Sequence, residues 1–182
     1  MSGVRFATAQ ALFDAFPRTI TKLNVQPTDE SPQIFLEKLS IQGKFEEAVT
    51  FCAYLLPRRE AVVWACKSTT TLLGPMPHRV PALAAAEAWV QDPDDQRRDV
   101  ALAVGTAGDV NDPMTWLALA VGWSGGSLSL NPKAPVPAPP YLTARAVRLA
   151  ILLSARMMPL PQRAQDLAGV IADGIRLAEA GL

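Results

Sequence analysis

Histidine occurs once and cysteine twice in the 182 residues, too few to assemble a four-ligand zinc site of the usual His/Cys composition. Lys+Arg and Asp+Glu are equal at 17 each, so the chain lacks the global positive field that draws polyanions, and nucleic acid is not expected as a general partner. Long apolar runs are missing too. The longest, Trp116 to Trp123, falls far short of the roughly 20 residues of a membrane-spanning helix. The opening Met1-Ser2-Gly3-Val4-Arg5-Phe6 reaches Asp14 and Arg18 without the apolar stretch and small-residue cleavage site of a secretory signal. Cys52 and Cys66 each sit inside an apolar helical pattern, which suits buried reduced thiols better than a disulfide framework. These features together point to the cytoplasm.

What the chain does have is core material: 49% hydrophobic against 19% charged residues, enough for one domain. Residues 1–32 read as an N-terminal arm that docks on the body, with one short helical pattern from Ala7 to Ala15 and an extended-looking run from Thr19 to Val25. Residues 33–182 read as a single helical domain. No element is read between Pro32 and Lys44. Beyond that, Phe45, Ala48, Val49, Cys52, Leu55 and Leu56 recur at three- and four-residue steps, so a helix is expected up to Pro57. Pro57 suits a helix start, and a second helix, forming a tight hairpin with the first, is expected to reach about Leu73.

Further helices are expected at Pro81–Gln91, Pro93 to about Ala107, Met114 to about Trp123, Thr143 to about Met158 and Pro161 to about Ala180. Asp92-Pro93 and Asp112-Pro113 supply the start signals, an acceptor followed by a first-turn proline. The helix from Met114 is apolar on nearly every side and is expected to be the most buried. Residues 124–141 lose periodicity and contain Pro132, Pro135, Pro137, Pro139 and Pro140. The nine steps from Asn131 to Pro140, extended at about 3.1 Å per residue, could span about 28 Å, enough to cross the domain between parallel helices. The expected fold is all-α, an irregular multi-helix bundle of about seven helices with this crossing loop.

Gly122-Trp123-Ser124-Gly125-Gly126 matches the Gly-x-Ser-x-Gly nucleophile elbow of serine hydrolases. An elbow needs a strand before the serine, a helix after it and a histidine later in the chain. Here the preceding residues read as helix, the following ones as loop, and His78 comes earlier, so a glycine-rich helix end is the preferred reading. His78 itself reads as a surface residue. Carboxylates at Asp94, Asp95, Asp109 and Asp112 are accounted for by helix dipoles, caps and turns, and no acid/base pair stands out. No catalytic residue, metal site or cofactor is expected, and the chain reads as non-enzymatic.

Arg58 and Arg59 open a helix against its dipole, at a cost of up to about 1 kcal/mol each that something should offset. Two offsets are open: pairing within the chain, with Glu46, Glu47, Glu60 or carbonyls ending the preceding helix, or an acidic segment of a partner. Trp64, Trp89 and Trp116 read as core. Trp123, at the glycine turn, reads equally as core or as an interface anchor. A basic surface from Arg97 with Arg98, or Arg145 with Arg148, is the nucleic-acid alternative.

Several segments carry a resemblance. Glu46-Glu47-Ala48-Val49, Leu55-Leu56-Pro57-Arg58-Arg59-Glu60-Ala61-Val62-Val63-Trp64-Ala65-Cys66, Ala88-Trp89-Val90, Trp123-Ser124-Gly125-Gly126-Ser127 and Leu142-Thr143-Ala144-Arg145-Ala146-Val147 resemble an uncharacterised bacterial family of helical proteins. Such proteins look like accessory components encoded near type VI secretion genes. The resemblance implies an adaptor or chaperone whose partner is another protein, a secretion component or effector, with self-association also open. The candidate contact surface is Arg58, Arg59 and Glu60 with Trp123, Ser124 and Ser127.

Overall fold

The computed structural model describes residues 5–17, 23–74, 80–131 and 133–180. Among these the chain forms nine α-helices and no strand, only an isolated antiparallel bridge between Ser127 and Pro137. The helices are α1 (Ala9–Ala15), α2 (Pro32–Ile41), α3 (Phe45–Leu55), α4 (Arg58–Leu73), α5 (Pro81–Gln91), α6 (Asp95–Thr106), α7 (Pro113–Gly122), α8 (Leu142–Arg156) and α9 (Leu160–Ala180). The all-α class is as expected.

Helix α2 is the element the sequence reading passed over. Ser31 accepts a hydrogen bond from the Ile34 amide at 3.4 Å, Pro32 takes the first turn, and Gly43 with φ +71° follows the helix end. Phe35, Leu36 and Leu39 then face inward together. Helix α1 packs on α2 and α3: Phe13 meets Phe35 at 6.1 Å and Phe51 at 6.0 Å between ring centroids, and Phe16, at its C-terminal end, meets Tyr54 at 5.0 Å. Ala9 and Leu12 are wholly buried, so α1 belongs to the same core as α2 and α3.

Helix α7 lies at the centre, with nine of its ten residues buried, between α5 and α6 on one side and α4 and α8 on the other. Its contact with α6 is close enough to be set by backbone. A Cβ on Gly122 would lie 2.8 Å from Leu102 Cα, and one on Gly105 2.9 Å from the Leu119 amide nitrogen. The two pairings are reciprocal, glycine against leucine in both directions, which makes the helices antiparallel. Helix α9 covers α2, α3 and α4, and Trp64 donates its indole N–H to the Val170 carbonyl at 2.8 Å.

Two expectations are corrected. Helix α6 starts at Asp95, with Asp94 rather than Asp92 accepting the capping bond, at 2.6 Å from the Arg97 amide. Asp92 instead closes α5, donating its amide to Ala88. The proline-rich loop does not cross the domain: Thr143 Oγ1 donates to the Trp123 carbonyl at 2.9 Å, so the two ends of the loop meet. In between, the segment doubles back. Leu128 N–H bonds Val136 O at 2.7 Å, and Ala138 N–H bonds Gly126 O at 3.1 Å. The reversal lies between Leu128 and Val136, where Ala134 N–H bonds Asn131 O at 3.0 Å, while Gly126, with φ +57°, turns the chain out of α7 at the base of the pairing. Helices α7 and α8 are therefore neighbours joined by a hairpin-like loop.

Candidate functional site

The last carbonyls of α7 point at the glycine turn with no further helical turn to donate to them, and a buried carbonyl left unpaired is costly. Side chains from three other helices supply the donors. Arg98 of α6 donates through Nη1 to Gly122 O at 3.3 Å and Ser127 O at 3.2 Å, Thr143 of α8 takes Trp123 O, and Arg58 of α4 donates to Ser124 O at 2.8 Å. A cation at a helix C-terminus also meets the negative end of the dipole.

Arg98 is only 7% exposed, and Asp99 lies 2.6 Å and Asp95 3.3 Å from its guanidinium. A Cβ at Gly126 would stand 2.6 Å from Arg98 Cζ, so glycine there makes room for the buried cation. Only the nucleic-acid alternative, disfavoured by the balanced charge, would put Arg98 on a basic surface; its flanking acids at 95 and 99 are the sign in the sequence of an inward role. Arg148, of the other basic pair, turns in to bond Thr50 Oγ1 at 2.7 Å, and Arg97 is paired with Asp92 at 2.9 Å and with Asp94.

The corner proposed from sequence is thus partly assembled. Arg58 donates directly to Ser124 O, and Ser127 O shares the Arg98 guanidinium with Gly122 O, two residues before Ser124. Ser127 Oγ donates to Ser129 O at 2.9 Å and accepts from Val136 N at 2.9 Å, pinning the loop hairpin. Arg59 is exposed and bonds Val90 O at 3.1 Å, at the end of α5. Neither Arg58 nor Arg59 pairs with Glu46, Glu47 or Glu60 among the described residues; Glu46 lies instead 3.7 Å from Arg156. The carbonyls that end α3 are held by Arg5, through Leu56 O at 2.7 Å and Tyr54 O at 3.3 Å. Sequence reasoning missed Arg5, since nothing local marks a contact across about fifty positions.

Glu60 makes no hydrogen bond or ion pair among the described residues and sits in the first turn of α4, where a carboxylate complements the dipole. Trp123 is half-buried, its ring edge-on to Trp116 at 6.2 Å. Trp64 and Trp89 are buried, as expected. Beside the turn lies an open depression lined by Trp89, Pro93, Asp94, Asp95, Arg98, Ser124 and Gly125.

Ser124 follows a helix and leads into the loop hairpin, the reverse of the strand–serine–helix order of an elbow. His78 lies outside the described residues, as does part of the run from Thr19 to Val25. Cys52 and Cys66 are free thiols, and no cluster of three His, Cys, Asp or Glu side chains suited to a metal occurs among the described residues. No described helix is long and apolar enough to cross a membrane.

With this geometry in place, residues 35–178 match a family of unknown function (DUF6931). The chain belongs to this family. Comparison with curated proteins and with solved structures gives no match. The matched span runs from α2 into α9 and takes in Arg58, Arg98 and the glycine turn, whereas Arg5 and α1 precede it.

Proposed function

We propose that the chain is a non-enzymatic, cytoplasmic protein-interaction module, an accessory adaptor or chaperone of a bacterial, type VI-like secretion apparatus. The observation that carries this reading is the corner where α4, the end of α5 and the glycine turn meet. It presents exposed Arg59, half-buried Trp123 and an open depression of mixed aromatic and charged lining. Tryptophan and arginine are the residues that anchor protein interfaces, whereas small substrates are held in enclosed, mostly apolar pockets. The resemblance to proteins encoded beside type VI secretion genes supports the choice of apparatus.

Affinity capture from a native host tests the proposal, with Arg59→Glu as the comparison. Arg59 is the corner cation to change, because Arg58 also holds the end of α7. The expected result is recovery of a secretion-apparatus protein by the wild type and its loss with the variant, both melting at similar temperatures. Recovery without any secretion component overturns the apparatus, and equal recovery by the variant removes the corner. Labelling by a fluorophosphonate probe that Ser124→Ala abolishes overturns the non-enzymatic reading.

A further inference from the structure

Where α3 ends and α4 and α8 begin, a cavity of about 10 Å³ is lined by Arg5, Phe16, Tyr54, Arg58, Pro140 and Thr143, among others. That is room for about one water-sized group. Among the described lining residues two carry a positive charge and none carries a carboxylate. Arg5 and Arg58 each use Nη1 on backbone carbonyls, which hold a guanidinium but do not neutralise it. Phe6 at 5.1 Å and Phe16 at 5.9 Å pack their rings against the Arg5 guanidinium and fix its place.

Burial, followed by the positive charge of Arg58, draws the Arg5 pKa below its ordinary value. All 17 Asp and Glu residues fall among the described residues, and none forms an ion pair with Arg5 or Arg58. The chain therefore brings two cations together without a side-chain counter-ion, and leaves each of them further N–H donors.

We propose that the space between Arg5 and Arg58 receives a carboxylate carried by an acidic segment of a partner protein. The source of the carboxylate rests on the interaction reading above; the seat for it rests on the cavity. Its volume admits one carboxylate oxygen and not the three outer oxygens of a phosphate. Guanidinium groups offer the paired N–H donors that a carboxylate accepts. The bearer of the group would remain outside, against Phe16 and Pro140 at the rim. A free small carboxylate has nothing else to bury there.

The test follows the Arg Nε–Hε nuclear magnetic resonance signals of the full chain during titration with sodium acetate, and separately with an oligo-glutamate decapeptide, at fixed ionic strength. Saturable shifts confined to Arg5 and Arg58 are expected, with the peptide acting at about tenfold lower concentration than acetate. Arg5→Gln should weaken both by about tenfold, and Arg176→Gln, an exposed cation on α9 that does not line the cavity, should leave them unchanged. Unmoved Arg5 and Arg58 signals overturn the seat, and this wild-type measurement stands even if Arg5→Gln fails to fold. Equal loss in Arg176→Gln overturns it in favour of diffuse attraction. Peptide binding no tighter than acetate overturns the partner segment as source. Failure of the secretion assignment alone would show in the affinity capture and leave these shifts in place.

Discussion

The contact between α6 and α7 yields the sharpest quantitative expectation, because the same substitution at two glycines should act with opposite sign. Gly122→Ala places a methyl 2.8 Å from Leu102 Cα, a backbone atom that no rotamer change can move. The helices must separate, and overpacking of this kind costs about 1–3 kcal/mol. Against that stands a helix-propensity gain of at most about 1 kcal/mol, reduced at the last residue of a helix. The net loss is about 1–2 kcal/mol, which for a domain of this size lowers Tm by about 2–8 °C.

Gly169→Ala, inside α9, meets nothing within 4 Å of the new methyl. Only the propensity remains, a gain of about 0.5–1 kcal/mol and about 1–4 °C. Calorimetry or circular dichroism melts of the two variants beside the wild type decide the matter. A Gly122→Ala protein melting at or above the wild type, or a Gly169→Ala protein melting below it, refutes the reasoning.

Two further expectations concern titratable groups. Burial raises both thiols, with Cys66 pushed up to about 12 and Cys52 higher still, so both stay protonated at neutral pH. Alkylation of the native protein should then be slow and that of the urea-unfolded protein fast at both positions; rapid native labelling of Cys52 would contradict its burial. The hydrogen bond from Lys67 at 2.8 Å, helped by the charge of Arg176, holds Asp173 below its ordinary value. A depressed carboxyl stabilises the fold above its unfolded pKa, near pH 4, and loses that contribution as pH falls through the folded value. The urea midpoint should therefore drop less on acidification in Asp173→Asn than in the wild type, and identical pH curves would remove Asp173 from the account.

The helices were legible where apolar spacing and a start signal coincided. Asp112-Pro113 and the stripe from Phe45 to Leu56 placed α7 and α3 closely, because burial of one face dictates both period and phase. The omission of α2 had no physical obstacle: Ser31-Pro32, Phe35-Leu36-Leu39 and Gly43 obey the rule that located the later helices. The fate of residues 124–141 was not legible in the same way. Proline content fixes local φ, but whether such a segment crosses or doubles back depends on where its ends are held. Here that is Thr143 against the Trp123 carbonyl, together with the pairing of Gly126 and Leu128 with Ala138 and Val136.

The candidate corner shows the same division. That Arg58 and Arg59 at a helix start needed a compensating partner followed from the dipole. That the partners would be Ser124 O and Val90 O, rather than a nearby glutamate, depended on contacts across tens of residues. Arg98 illustrates the limit from the other side, since a charged residue in a polar stretch reads as solvent-facing until the carbonyls it serves are known.

The clasp on the end of α7 is made almost entirely to backbone oxygens, so it is nearly blind to the amino acids in the turn it holds. Arg58 would find the same carbonyl whatever side chain stood at 124, and a Cβ at Gly125 meets nothing within 4 Å. Position 126, in contrast, is held at φ +57° and pressed against Arg98, which favours glycine there. The turn therefore separates two kinds of selection. Replacement of Gly126 in a relative would report a change in the scaffold, whereas strict retention of Ser124 would report a demand from outside the fold.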